Sequence, residues 1–349
     1  MLFLIKKEAY QVRFLSDNDV RQGLNVPQVI HLVETVYKAR SEHNTETWPT
    51  IFYDFVPGKA DMDIKSGYLK SDKVFGHKTI TWFAENEAKQ LPTLTGLINV
   101  FDAETGRPFG ITEASFITGI RTGASGAIGA KYLARTDSET LLVVGSGNQA
   151  IFQIACALSV LPNLKTVCVA ARDQEKLISF VNTLPHRLQS EFCTNIENVT
   201  FEVAESLEEA VKNSDIIITV TSSRTPIIKR EWVKEGTHLS CIGADMAGKQ
   251  EVDSKLISQA RLYVDDREHC IHVGEIEIPL KEGKITESHI CGEIGDLILG
   301  KIEGRTSNQQ ITIFDATGMA ILDIYAAKMA LQNAEERNLG IKIDLEGKI

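Results

Sequence analysis

The sequence predicts an α/β protein in which a doubly wound, parallel-sheet domain is joined to a discontinuous α+β domain. Three observations carry this expectation. From Thr140 onward, short strand-like runs alternate with helical ones. Several of those runs are largely continuous in apolar residues, as strands covered on both faces are. The first third of the chain reads instead as antiparallel β-structure with turn signals between the runs.

Taken in order, a helix near Pro27 to Ser41 precedes "TIFYDFV", "MDIKSGYL", "VFGHKTITWF" and "TLTGLINVFDAETGRPFGITE", the last folded at "DAETGRP". "ITGIRTGASGAIGAKYLAR" is a small-residue helix leading into the second domain. There "TLLVV" is followed by a glycine turn and the helix "NQAIFQIACALSVL", with Ile151, Ile154, Ala155 and Leu158 on one face. "TVCVAA" and the helix "DQEKLISFVNTL" follow, then "VTFEVA" and "SLEEAVKNS", where Ser206 and Glu209 have capping-box spacing. "DIIITVT", "THLSCIGA" and "ARLYVDD" are three more strands. "ITIFDATGMAILDIYAAKMALQNAEE" is a strand, a Thr-Gly break and a long helix expected to return to the first domain. The expected division is residues 1–125 with 319–349, and residues 126–318.

Composition narrows the class. The 349 residues exceed one comfortable core, and a net charge of -10 with no basic block argues against nucleic acid as a partner. Six scattered cysteines without a C-x-x-C pair suggest reduced thiols in a cytoplasmic protein. "MLFLIKKEAYQV" is too short for a signal peptide and has its charge on the wrong side, and no apolar run is long enough for a membrane span.

In "TLLVVGSGNQA", Gly145, Gly147 and Ala150 fit G-x-G-x-x-A. The first glycine permits the turn, the second admits a pyrophosphate to the backbone, and the small third residue packs helix on strand. Asn148 and Gln149 then begin a helix whose N-terminal N–H groups suit phosphate. A strand before, a helix after and a second βα unit supply the confirming context for a Rossmann-type dinucleotide site. In "CVAARDQEK", Ala171 stands where an acid would take the ribose of NAD, followed by Arg172 and Asp173. That favours NADP over NAD, although Arg172 as a solvated residue or Asp173 in the ribose role would fit too.

Several stretches together resemble the ornithine cyclodeaminase/mu-crystallin family: "FGHKTITWFAEN", "LPTLTG", "DAETGRPFGITEASFITGIRTGASGAIGAKYLA", "GSGNQA", "GADMAGKQEVD" and "ITIFDATGMAILD". They span nearly the whole chain, in order. The resemblance implies hydride transfer between a nicotinamide and the carbon of a C–N bond beside a carboxylate. It also implies a homodimer built through the discontinuous first domain, which becomes a substrate-binding and dimerisation domain. Members include ornithine cyclodeaminases, archaeal-type alanine dehydrogenases, ketimine and Δ1-pyrroline-2-carboxylate reductases and opine-like dehydrogenases.

By resemblance, Lys78 and Arg121 are the cations for the substrate carboxylate, and Thr93 stands near the substrate. Without it, Lys78 in an apolar strand must snorkel or meet an anion, and Arg121 could be a helix-start ion pair. Asp245 follows the strand "THLSCIGA" at its carboxyl end, where open α/β sheets bind ligands. There it can hold an amine or move a proton, or simply make an Asx-turn. Thr221, Ser222 and Ser223 are expected to line the cofactor, and Thr317 and Gly318 to lie near the nicotinamide unless they are a plain strand-to-helix break.

Two departures bear on the substrate. The family's cation after a proline is replaced by Thr50 in "ETWPTIFYDF", and Lys65 stands where ornithine cyclodeaminases carry an acid and alanine dehydrogenases a cation. Lys65 could replace the missing cation from another strand, or be a solvated strand lysine. It argues against ornithine and for an alanine dehydrogenase-like or imine-reducing activity on a small amino or imino acid. Ornithine cyclodeamination and a catalytically silent, cofactor-binding protein of the mu-crystallin type are the alternatives. His269, Cys270 and His272 lack a second ligand pair, so no metal site is expected and a polar loop is the better account. His77 should face away from Lys78 if both lie on a strand.

Overall fold

The computed structural model describes residues 11–345, so most of "MLFLIKKEAYQV" lies outside the described residues. In chain order the strands begin with β1 (Gln11–Leu15), β2 (Thr45–Thr47), β3 (Ile51–Val56), β4 (Ala60–Leu69), β5 (Val74–Phe83), β6 (Leu94–Asp102) and β7 (Pro108–Glu113). They continue with β8 (Thr140–Val144), β9 (Thr166–Ala170), β10 (Thr200–Val203), β11 (Ile216–Thr219) and β12 (His238–Cys241). The last are β13 (Arg261–Val264), β14 (Ile290–Glu293), β15 (Thr312–Asp315) and β16 (Ile341–Asp344).

The chain divides into two compact units. The first takes in the described parts of Met1–Asn25, Thr45–Thr118 and Ala320–Ile349; the second is Val26–Asn44 with Gly119–Met319. The division differs from the expected one chiefly in the helix Val26–Ser41, which belongs to the second unit. Its apolar residues are too many for a solvated helix: Val29, Val33, Val36 and Tyr37 are all buried, and the Tyr37 ring meets Phe314 of β15 edge-on at 6.3 Å.

The first unit is an eight-stranded, mostly antiparallel sheet in the order β16-β1-β7-β6-β5-β4-β2, with β3 also on β4. Here β1 lies parallel to β7 and antiparallel to β16, an edge not evident in the sequence. One face carries the helix Ala320–Arg337. Gly67 and Gly76 lie beneath it, where a Cβ would come within 2.7 and 3.3 Å of Ile321 and Ile324, so these glycines set how closely the helix packs. The other face bears Ile51, Tyr53, Phe83 and Leu97, all exposed.

The second unit is a wholly parallel eight-stranded sheet, β10-β9-β8-β11-β12-β15-β13-β14. The strand order reverses beside β8, the topological switch point of a doubly wound sheet. Every residue of β11, β12 and β15 is buried, as in strands covered on both faces, and polar residues among them such as His238 and Ser240 are hydrogen-bonded. The helix predicted to stop before Pro185 instead runs from Gln174 to Phe192. Burial of Leu184, Leu188 and Phe192 on its inner face outweighs the backbone hydrogen bond that proline removes. No helix among the described residues is long and apolar enough to cross a membrane.

Candidate active site

In the second unit, β8 delivers the chain into the glycine turn at the switch point. Gly145 has φ +122° and a Cβ there would stand 2.8 Å from the Val220 carbonyl oxygen, so this glycine is required by the backbone itself. Gly147 is different. Its φ of -76° suits any residue, it is the N-cap of the helix Asn148–Val160, and a Cβ there would meet nothing within 4 Å. Open space over a glycine, at a helix N-terminus with no side-chain cap, is a cradle that a pyrophosphate fits. Ala150 is fully buried, as close helix-to-strand packing requires.

After β9 the chain reads Ala171, Arg172, Asp173. Asp173 caps the helix Gln174–Phe192, its Oδ1 accepting from the Lys176 backbone N–H at 3.1 Å, while Arg172 is exposed. After β11, the Thr221 N–H donates to Glu251 Oε1 at 2.6 Å, and the Ser223 N–H to Thr221 Oγ1 at 3.2 Å. After β12, the Gly243 N–H donates to Glu251 Oε2 at 3.0 Å. One fully buried carboxylate therefore ties together the loops that carry Thr221–Ser223 and Asp245. Glu275, also buried, in turn accepts from the Glu251 and Val252 N–H groups at 2.8 and 3.0 Å. Burial pushes both carboxyl groups upward, Glu275 well above the usual carboxylate range with Glu251 and Asp315 adding repulsion. Asp245 is half exposed, and Lys249 Nζ meets its Oδ1 at 2.6 Å.

After β15, Thr317 and Gly318 are held by buried Asp265, which accepts from the Thr317 hydroxyl at 3.2 Å and from the Gly318 N–H at 2.7 Å. Gly318 has φ +80°, and a Cβ there would lie 2.7 Å from Nη1 of Arg121, itself 7% exposed. Arg121, Thr317 and Gly318 are thus one constellation. His269, expected in a loop, sits in the short helix Arg267–Cys270 with Nδ1 2.8 Å from Thr317 Oγ1.

In the first unit, Lys78 on β5 is 2% exposed, with Nζ 3.0 Å from Asp323 Oδ2 and 3.5 Å from Thr118 Oγ1. Directly opposite on β4 stands Lys65, half-buried, so the two lysines share a face. His77 pairs with Ser66 and Asn99 on the other face, its Nε2 3.1 Å from Asn99 Nδ2, as alternation requires. Thr93 is not brought beside Lys78. It lies in the turn before β6, its carbonyl accepting from the Phe83 N–H, whereas Lys78 is opposite Ile98.

Besides Glu275, three acids of the site were not assigned from the sequence. Asp323 stands in the largely apolar helical run "GMAILDIYAAKMAL", and a buried acid there needs a cation. Glu251 lies within "GADMAGKQEVD", but nothing local shows it bridging two loops, and Asp265 likewise acts only through contacts distant in sequence.

The profile of the ornithine cyclodeaminase/mu-crystallin family matches residues 11–338. The chain belongs to this family. It is 33% identical to the alanine dehydrogenase of Archaeoglobus fulgidus over 331 residues, covering 94% of this chain and 97% of that protein. Among solved structures, it resembles an archaeal alanine dehydrogenase dimer with bound NAD, with a TM-score of 0.87, 33% identity and coverage of 96% and 99% of the two chains. It also resembles the Thermococcus litoralis Δ1-pyrroline-2-carboxylate reductase in complex with NADH and L-proline, with a TM-score of 0.88, 29% identity and coverage of 95% and 100%.

Proposed function

We propose that this family member is an NAD(P)-dependent oxidoreductase acting at the C–N bond of a small L-amino acid or its imine, as alanine dehydrogenases and ketimine or Δ1-pyrroline-2-carboxylate reductases do. The observation that carries the reading is the pairing of Lys65 with Lys78 on one sheet face, which supplies two cations for a carboxylate. Lys65 takes the place of the cation absent at Thr50 and is unsuited to the second amine of a diamine, so ornithine is disfavoured as substrate.

The cofactor residues fit the role. The open cradle at Gly147 and the helix start at Asn148 and Gln149 would take the pyrophosphate, and Thr221, Ser222 and Ser223 would flank it. When bound, a nicotinamide supplies or accepts a hydride. The family resemblance assigns Lys78 and Arg121 each to the substrate carboxylate; Asp245, 2.6 Å from Lys249, would hold the amine or move its proton. Arg172 is exposed and Asp173 is engaged as a helix cap, which supports NADP over NAD for this chain. The relatives' structures hold NAD and NADH. The exposed apolar sheet face of Ile51, Tyr53 and Leu97 supports a homodimer, and one relative is a dimer.

The test follows NADPH and NADH absorbance with pyruvate plus ammonia or methylamine, and with Δ1-pyrroline-2-carboxylate. A parallel assay measures ammonia from ornithine with NAD. Oxidation of NADPH with an imine is expected; ammonia and proline from ornithine would overturn the substrate assignment. Asp245→Asn is expected to abolish turnover while cofactor binding, measured by fluorescence titration, stays intact. Unchanged turnover would remove Asp245 from the mechanism.

A further inference from the structure

Lys65 and Lys78 are direct partners on adjacent antiparallel strands, and Lys78 is 2% exposed. Like charges directly opposite are destabilising, and a buried ammonium without a counter-charge is costly enough to lose its proton. The counter-charge comes from the helix Ala320–Arg337. Asp323 is fully buried there, and its Oδ2 lies 3.0 Å from Lys78 Nζ. The helix reaches this depth because Gly67 and Gly76, on the same face as the lysines, leave room for Ile321 and Ile324.

A carboxylate beside a site meant for a carboxylate is at first sight a disadvantage, since it repels the ligand. Its presence makes sense if Lys78 would otherwise be neutral. We propose that Asp323 is a positioning residue: it keeps Lys78 charged and aimed, and so allows Lys65 to stand opposite as a second cation. The same face also bears Asp61 and Asp63, along β4 from Lys65, and the neutral hydroxyls of Thr118, at 3.5 Å, and of Thr112 on β7. The proposal rests on the reading that these lysines take the substrate carboxylate.

Asp323→Asn tests it, with the imine that the enzyme reduces and its preferred nicotinamide. The KM for the imine is expected to rise about tenfold or more while the KM for the cofactor changes less than about twofold. The alkaline limb of kcat/KM should move to lower pH, because Lys78 without its partner loses its proton more readily. In a Lys78→Met background, Asp323→Asn should cause no further loss of kcat/KM. Should Asp323→Asn alone fail to fold, the double variant Lys78→Met/Asp323→Asn is still expected to fold. It should melt above Lys78→Met, which leaves Asp323 buried without that lysine.

An unchanged imine KM in Asp323→Asn, beside a raised one in Lys78→Met, would overturn the proposal alone. So would losses that add in the double variant, or a double variant that melts no higher than Lys78→Met. An imine KM unaffected by Lys78→Met would overturn the functional reading, and the proposal with it.

Discussion

In the first unit, Lys65 and Lys78 stand in the middle of long strands on one face of a sheet, whereas in the second, Gly147, Thr221 and Asp245 stand in loops beyond the carboxyl ends of short strands. The two arrangements need different support. A side chain on a sheet face is placed by strand register and by what packs over it, so Lys78 is held by Asp323 from a covering helix. A loop beyond a parallel strand has no ladder to continue, so its N–H groups are fixed by buried carboxylates, Glu251 for two loops and Asp265 for a third. The antiparallel sheet can also leave its second face uncovered, which the parallel sheet cannot.

The sharpest break of this comparison is Lys78→Met. It should lower kcat/KM by ~100-fold or more, about 2.7 kcal/mol of transition-state stabilisation, while cofactor affinity is retained. Loss of cofactor affinity together with activity would mean that the two regions do not divide the work as described. The glycine turn can be split in the same way. Gly147→Ala should leave the melting temperature unchanged and weaken cofactor binding roughly tenfold, because its Cβ enters only the open cradle. Gly145→Ala should lower the melting temperature, because a backbone at φ +122° costs an L-residue on the order of 1–3 kcal/mol. Equal effects of the two substitutions in a thermal melt would remove the distinction between cradle and turn.

Leu97→Asp, on the uncovered face, should convert the proposed homodimer to a monomer in light scattering with little change in the spectroscopic fold. A persistent dimer would place the subunit contact elsewhere. The smallest effect concerns His238, buried on β12 between Thr312 and Ser240 hydroxyls at 2.9 and 3.0 Å. Burial, with Arg305 adding repulsion, lowers its pKa from 6.5 to about 3. The unfolded chain then binds the proton more readily, so stability is lost as pH falls from about 6.5 toward 3. His238→Asn should flatten that part of a urea-stability profile, and an unaltered slope would show that other groups set it.

Much of the second unit was legible because its signals are local. A glycine pattern between an apolar strand and a helix, repeated βα alternation and strand-end residues such as Asp245 depend on neighbours a few positions away. The edge formed by β1 and β16 was not legible, since short strands far apart in the chain pair only once the sheet exists. The helix Val26–Ser41 was recognised, yet its membership of the second unit follows from contacts such as Tyr37 with Phe314.

The same division runs through the candidate site. The sequence by itself determined the residue types proposed for the chemistry: Lys78 in an apolar strand, Lys65 where by resemblance ornithine cyclodeaminases carry an acid, and the glycines of a G-x-G-x-x-A turn. Only the tertiary structure decided that Lys65 stands opposite Lys78, that Asp323 meets Lys78 at 3.0 Å and that Glu251 ties two loops together. The physical reason is range. Backbone conformation and periodicity are set by adjacent residues, whereas charge pairing in a low-dielectric interior depends on distances of a few ångströms, which register and packing alone establish.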